Sequence, residues 1–200
     1  YGATPYGLVH CMYELYGGDV STKLLSSLTR LFTSFLQSEG FTLGVHDILV
    51  VEKADKERTK IIKESRLIGR KITCQVLDIP EDVSNDELIE KLEEAYATDP
   101  KFRSVLDRKY KTTMDTYTNN INKVCLPAGL VSQFPDNNLQ LMVTSGAKGS
   151  TVNTMQISCL LGQIELEGKR PPIMINGRSL PSFPLFECSP KSGGFIDGRF

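Results

Sequence analysis

The sequence predicts a mainly α-helical fold, α+β with a few short strands, in which a long antiparallel helical hairpin accompanies a helix-turn-helix core. Two observations predict it. Apolar residues recur every three or four positions through residues 8–36 and 61–124, as on the buried face of a helix. Short β-branched runs and Gly/Pro turn signals are concentrated in residues 41–50 and 171–194. A chain of 200 residues is long enough to bury a core.

Two predicted helices fill the first part of the chain. The first ends at Gly17-Gly18, and the second begins at Asp19 or Ser21 and ends at Gly40. The apolar side chains of the second helix recur so regularly that we expect it to be packed in a core over most of its length. Residues 41–50 are short, β-branched and interrupted by glycine, which indicates a buried extended segment or a strand.

Residues 53–124 predict the helical hairpin. One charged helix carries an apolar stripe from Ile61 to Val76, and Ile79-Pro80 ends it. Ser84 to Glu87 resembles a capping box before a shorter helix. A second long helix follows Asp99-Pro100, and Leu126 to Gly129 ends the hairpin. Two long helices joined by a short one are typical of an antiparallel pair.

The least ordinary stretch is Gly146-Ala147-Lys148-Gly149-Ser150, a tight turn within a predicted helix pair at 136–168. It places one lysine between two glycines just before a helix N-terminus. Backbone N–H groups without partners and the helix dipole favour an anion at such a place. The alternative is an ordinary joint between two helices with an exposed lysine.

The second helix of this pair carries a row of polar side chains. At about 100° per residue, Asn153, Gln156, Gln163 and Glu167 fall on one stripe between two apolar faces. A helix that is apolar on two sides is mostly buried, so these amides need partners. They could line a wet channel or pair with neighbouring backbone, and the residues alone leave both alternatives open.

Composition and motifs exclude several classes of site. The net charge of −1 means that any nucleic-acid contact must be local. The five cysteines are scattered and odd in number, which indicates a reducing compartment rather than a disulfide framework or a zinc site. No apolar run reaches the roughly 18–20 residues of a membrane span. The glycine turn lacks P-loop spacing.

The chain also lacks recognisable catalytic motifs. No magnesium-binding Asp cluster, His-Glu-x-x-His or Gly-x-Ser-x-Gly is present. His46-Asp47 could form an acid–base pair, but with no nucleophile motif beside it a turn or hydrogen-bonding role is favoured. We therefore expect no catalytic residue and no metal ligand in this chain.

Three motifs carry a family resemblance. One runs from Asn138-Leu139-Gln140 to Lys148-Gly149-Ser150, the next from Asn153 and Gln156 to Glu167-Gly168-Lys169-Arg170, and the last is Gly193-Gly194-Phe195. Together they resemble the largest subunit of eukaryotic multi-subunit RNA polymerases, and the stretch from Cys159 to Pro172 looks most like the RNA polymerase I form. This resemblance implies three regions: residues 1–50 as the C-terminal part of the pore domain, 51–170 as the funnel domain with its hairpin at 53–124, and 171–200 as the start of the cleft and bridge-helix-proximal region. The chain is then expected to be a fragment of a larger subunit.

The resemblance also implies a function. The funnel and pore form a secondary channel through which nucleoside triphosphates (NTP) enter and backtracked RNA leaves. The channel or phosphate contacts would be Lys148, Ser150, Asn153, Gln156 and Gln163. The catalytic Mg²⁺ of this family is held by upstream residues that this chain lacks, so the isolated chain should be inactive.

Partners and location follow from the same resemblance. The whole enzyme would synthesise ribosomal RNA precursor from a DNA template in the nucleus, at the nucleolus, without a membrane. Its other subunits would include the second-largest subunit and a zinc-ribbon cleavage subunit in the funnel. Two alternatives stay open: a free-standing helical interaction module, and a small phosphate-binding enzyme, which lacks any acid–base or metal constellation.

Overall fold

The computed structural model describes residues 5–200, and residues 1–4 of the predicted pore segment lie outside the described residues. The described part contains six α-helices and two strands of two residues each, which confirms the mainly α fold class. The chain divides into two compact units. The first holds the described residues up to Leu49 together with Val131–Thr154, and the second holds Val50–Leu130 and Met155–Phe200.

The first unit is dominated by helix α1, Leu8–Glu39. Its course breaks at Gly17, whose φ of 78° lies in the left-handed region that favours glycine, so the predicted division into two helices is confirmed. The prediction of a buried core along this helix is wrong for this chain. Ser21 is its buried residue, while Phe32 and Phe35 are 56% and 60% exposed. Nothing in residues 5–200 covers that apolar face.

The sequence predicts a buried extended segment or a strand at residues 41–50, and no strand forms there. Val45–Asp47 forms a short 3-10 helix, and extended pairing is limited to an isolated antiparallel bridge between Val50 and Leu130. Asp47 accounts for the difference, because its carboxylate accepts a hydrogen bond from the Gly44 N–H at 2.9 Å and so closes a turn.

The second unit is built on the predicted hairpin. Helices α2 (Glu52–Leu77), α3 (Asn85–Thr98) and α4 (Phe102–Cys125) follow one another. Ser84 caps α3, since its hydroxyl oxygen accepts the Glu87 N–H at 3.2 Å. The pairing of α2 and α4 is antiparallel, because the early part of α2 packs against the late part of α4. Two buried clusters join the helices: one contains Ile62, Met114, Ile121 and Cys125, and the other Ile72, Leu92, Leu106 and Tyr110.

The end of the second unit is a loop-rich layer on this hairpin. Strand β1 (Gly162–Gln163) pairs antiparallel with β2 (Phe195–Ile196). The predicted turn at Asn176-Gly177 is present, with the Gly177 N–H donating to the Met174 carbonyl oxygen at 2.9 Å. No strands form on either side of it within the described chain.

The predicted helix pair at 136–168 is too long. Helix α5 spans Asn138–Thr144, and α6 spans Thr151–Ser158. Beyond α6 the chain turns at Gly162, whose φ is 86°, and again at Glu167-Gly168, whose φ values are 52° and 74°. Apolar spacing continued through residues 159–166, but these positive-φ positions cannot belong to a right-handed helix. The single amide stripe predicted from Asn153 to Glu167 is therefore wrong.

Gly69 of α2 provides a test of how this layer is attached. A Cβ at this position would lie inside the contact distance of the Cys188 carbonyl oxygen and 3.0 Å from Pro190 Cδ. In an open helix, replacing glycine with alanine stabilises by about 1 kcal/mol. We expect Gly69→Ala to destabilise instead, by about 1–3 kcal/mol, because the backbone carbonyl must move. Urea unfolding measures the change.

The control for this prediction is Gly198→Ala. Gly198 has no positive φ, and its added Cβ would meet its nearest neighbour, Ile196 Cγ2, at 4.0 Å. The urea concentration at the unfolding midpoint of the Gly198→Ala chain should stay close to that of the parent chain. A Gly69→Ala chain as stable as the parent would contradict the close approach of Cys188 to α2.

Candidate functional site

The glycine–lysine turn lies in the first unit between α5 and α6. Asn137 fixes the start of α5: it is fully buried, its Oδ1 accepts the Gln140 N–H at 2.9 Å, and its Nδ2 donates to the carbonyl oxygens of Asp47 (2.7 Å) and Ser132 (2.8 Å). Sequence analysis missed this residue, although an asparagine directly before a helix is a cap signal.

The N–H groups of the turn are largely occupied. Those of Ala147 and Lys148 donate to the Met142 carbonyl oxygen at 3.0 and 3.3 Å and so cap α5. The Ser150 N–H donates to Asn153 Oδ1 at 2.8 Å, as in one half of a capping box. The expectation that this turn offers unpaired backbone donors is therefore wrong for these three. The first turn of α6 keeps N–H groups without an intrahelical acceptor.

Lys148 is the exposed cation of this turn. Gly146 and Gly149 on either side have φ values of 74° and 81°, which fixes the backbone in a conformation that other residues rarely adopt. No acidic partner within residues 5–200 is in ion-pair range of its ammonium. The Ser150 hydroxyl donates to Asn153 Oδ1 at 2.9 Å, so these two side chains hold the turn beneath the lysine.

The two glutamines of the predicted set lie in the second unit, each in a different setting. Gln156 is half-buried on α6, and its carbonyl oxygen accepts the Phe200 N–H at 2.9 Å. Gln163 lies on β1, where its Nε2 donates to the carbonyl oxygens of Gly193 (2.7 Å) and Ile164 (2.9 Å). Gln163 thus joins two loop segments. A channel contact by either side chain stays a prediction.

His46-Asp47 shows the favoured structural role. Asp47 is buried, and besides closing its own turn it accepts the Asn138 N–H at 3.3 Å through Oδ1. A carboxylate at the start of α5 is favourable to the helix dipole. His46 is exposed and contributes no bond to Asp47. Asp47 stabilises the turn, which is the structural role that the sequence favoured.

A charged cluster in the second unit was not found from sequence. The Arg170 guanidinium lies 3.9 Å from the centre of the Tyr110 ring and 3.7 Å from an Asp107 carboxylate oxygen, and Arg103 lies 3.7 Å from the other. The Tyr110 hydroxyl donates to the Cys188 carbonyl oxygen at 2.6 Å. Burial raises the pKa of the Asp107 carboxyl, while Arg170 and Arg103 oppose the rise. This cluster attaches the loop layer to α4.

Two arginines hold the end of α6 in the same unit. Arg58 of α2 is buried and donates to the carbonyl oxygens of Cys159 (2.6 Å) and Asp197 (2.7 Å). Arg199 donates to the Ser158 carbonyl oxygen at 2.8 Å. Cations at a helix C-terminus satisfy its unpaired carbonyl groups and complement its dipole.

Within residues 5–200, no group of three or more His, Cys, Asp or Glu side chains could hold a metal ion. Among the helices of that range, none is both long and apolar enough to cross a membrane.

Comparison with known proteins decides the family. The model of RNA polymerase Rpb1, domain 4, matches residues 89–196, which is just over half of the chain. The chain belongs to this family. Several relatives match this chain along its whole length. It is 68% identical to DNA-directed RNA polymerase I subunit RPA1 of Drosophila melanogaster, 45% to rpa1 of Schizosaccharomyces pombe and 41% to RPA190 of Saccharomyces cerevisiae. Each match covers the full chain and 12% of the relative.

These matches confirm the predicted resemblance to the largest subunit of RNA polymerase I. The similarity to these relatives extends beyond the Rpb1 domain 4 match to residues 1–88, while the exposed lysine turn lies within that match. Because the chain spans only 12% of these relatives' length, their activity is not carried over to it directly.

The Asp107 cluster predicts a pH dependence. The pKa of Asp107 in the fold is raised above its unfolded value of about 3.9. Between these two pKa values the folded chain binds more protons than the unfolded chain, so this group's contribution to stability falls as pH rises through that window. Asp107→Asn should remove that slope, seen as the difference between the two chains in unfolding free energy measured from pH 3 to 7.

A second substitution checks the cause. Arg170→Gln removes the cation that most opposes the rise in the pKa of Asp107. The pH range over which this carboxyl changes the unfolding free energy should therefore widen and extend to higher pH. If Asp107→Asn leaves the pH profile unchanged, or shifts it in the opposite direction, the buried position of this carboxylate is contradicted.

Proposed function

We propose that this chain is the pore and funnel segment of the largest subunit of a DNA-directed RNA polymerase I, where it lines the secondary channel. The observation that supports this most is the identity of 41–68% to RNA polymerase I largest subunits along all 200 residues. The exposed lysine turn is the feature of this chain with suitable chemistry for such a channel.

Lys148 would steer phosphate groups. Its ammonium is exposed on a turn whose backbone is set by two glycines, and it precedes the positive end of α6. A cation in that position attracts the triphosphate of an incoming nucleotide or the backbone of a backtracked RNA 3′ end. Ser150 and Asn153 would hold the turn in its conformation, while the side-chain amides of Gln156 and Gln163 would form a polar part of the channel wall.

Chemistry would be performed elsewhere in the longer protein. Under this proposal the catalytic Mg²⁺ is bound by residues outside this chain, and the chain supplies neither a catalytic residue nor a metal ligand. The whole enzyme would copy a DNA template into ribosomal RNA precursor in the nucleolus. The 200-residue chain alone should polymerise nothing.

Assembly with other polymerase segments is part of the proposal. The second-largest subunit and a zinc-ribbon cleavage subunit are the proposed partners. The exposed apolar face of α1 supports an assembled state, because contiguous apolar surface of this kind is unusual on a free-standing protein.

The proposal is tested by Lys148→Ala in the whole RNA polymerase I. Loss of one exposed charge should slow cleavage of backtracked RNA, or change pausing, by roughly two- to fivefold at low salt, and by less at high salt because exposed charges are screened. Stalled complexes with a defined backtracked 3′ end give the cleavage rate.

Lys123→Ala is the matched control, since this lysine is exposed on α4 and lies outside the turn. It should leave both rates at the parent value. Cleavage and pausing that are unchanged in Lys148→Ala at low salt would reject the assignment of this lysine.

A further inference from the structure

A second positively charged surface lies in the second unit, on the hairpin side of the loop layer. The N-terminal half of α4 and the turn at 165–170 enclose an open groove of about 320 Å³. Its charged lining consists of four cations and two carboxylates, which leaves two positive charges in excess: Arg108, Lys111, Lys169 and Arg170 against Asp107 and Glu165.

Both carboxylates of this groove are already engaged. Glu165 accepts from the Lys111 ammonium at 2.7 Å, and Asp107 lies between Arg103 and Arg170 at 3.7 Å from each. In contrast, Arg108 and Lys169 are hydrogen-bonded only through their backbone groups within the described chain, and neither side chain forms an ion pair there. The groove therefore holds two unneutralised cations beside carboxylates whose charge is balanced.

The turn that carries Lys169 is tightly built. Glu167 and Gly168 both have positive φ, and the pair Leu166 and Lys169 exchanges two backbone hydrogen bonds of 2.8 and 3.0 Å. This is the geometry of a two-residue hairpin turn of type I′. Lys169 lines the groove beside Asp107, and its positive charge opposes the burial-driven rise in the pKa of that carboxyl.

We propose that this groove binds a small polyphosphate anion, with Arg108, Lys111 and Lys169 as its cationic contacts. An excess of two positive charges matches a multivalent anion better than a single carboxylate, and guanidinium and ammonium donors suit phosphate oxygens. Arg170 is a positioning residue here, because its guanidinium is held by the Tyr110 ring and Asp107. The site shares no residue with the turn of Lys148, so failure here leaves the proposed function untouched.

Inorganic pyrophosphate is the probe, titrated into the full 200-residue chain at low ionic strength and followed by ³¹P NMR. Saturable binding is expected. Arg108→Gln and Lys169→Gln should each weaken it about tenfold, the usual effect of losing one hydrogen bond between charged groups. Lys123→Gln, the same change on an exposed α4 lysine outside the groove, should bind as the parent does.

Additional variants and ligands distinguish the possible outcomes of this titration. Lys169→Arg keeps the charge and should keep binding, and circular dichroism should show that every variant keeps the parent's helix content. A nucleoside triphosphate should compete with pyrophosphate. Equal weakening by Lys123→Gln, no saturation, or binding of a short RNA without binding of pyrophosphate would overturn the proposal.

Discussion

The second unit depends on one close approach, where the backbone of the loop layer reaches the backbone of α2 and is bound by a side chain of α4. Gly69 leaves room for the Cys188 carbonyl to reach the backbone of α2, and the Tyr110 hydroxyl of α4 donates to that same carbonyl. Burial raises the pKa of the Tyr110 phenol far above its ordinary value, so it stays a neutral donor. The groove and the Asp107 cluster exist because this contact fixes the layer against the hairpin.

Three arginines and two lysines of this chain have different roles. Arg58 is buried, Arg170 is half-buried and Arg199 is exposed, but the forked donors of all three bind backbone carbonyl groups, a carboxylate or an aromatic ring. Planar guanidinium groups satisfy several acceptors at once and are less costly to desolvate than an ammonium. Lys148 and Lys169 instead lie exposed on tight turns with positive-φ residues. The arginines therefore stabilise the fold, while these two lysines keep charges available for a ligand.

Sequence alone predicted the elements whose signals are local. The apolar stripes of α2 and α4, the Ser84 cap and the Gly17 break depend on residues within one or two turns, and all are confirmed. Predictions failed where distant partners decide. The apolar spacing after Ser158 predicted more helix. Gly162–Gln163 instead forms a strand, because it pairs with Phe195–Ile196, a segment over thirty residues further along the chain. Of the predicted site, Ser150 and Asn153 do meet, whereas the cation cluster around Asp107 joins residues too far apart in sequence to be recognised.

The hydrogen bonds of the lysine turn decide what kind of anion contact it can make. A P-loop surrounds phosphate with unpaired backbone N–H groups, but here Ala147, Lys148 and Ser150 use theirs to shape the turn. What remains is one exposed ammonium and the first turn of a short helix. Such a contact is weak and is screened beyond about 8 Å at physiological salt. In a channel, weak contact is the useful kind, because a surface that held phosphate tightly would slow the passage of nucleotides and RNA that it is proposed to guide.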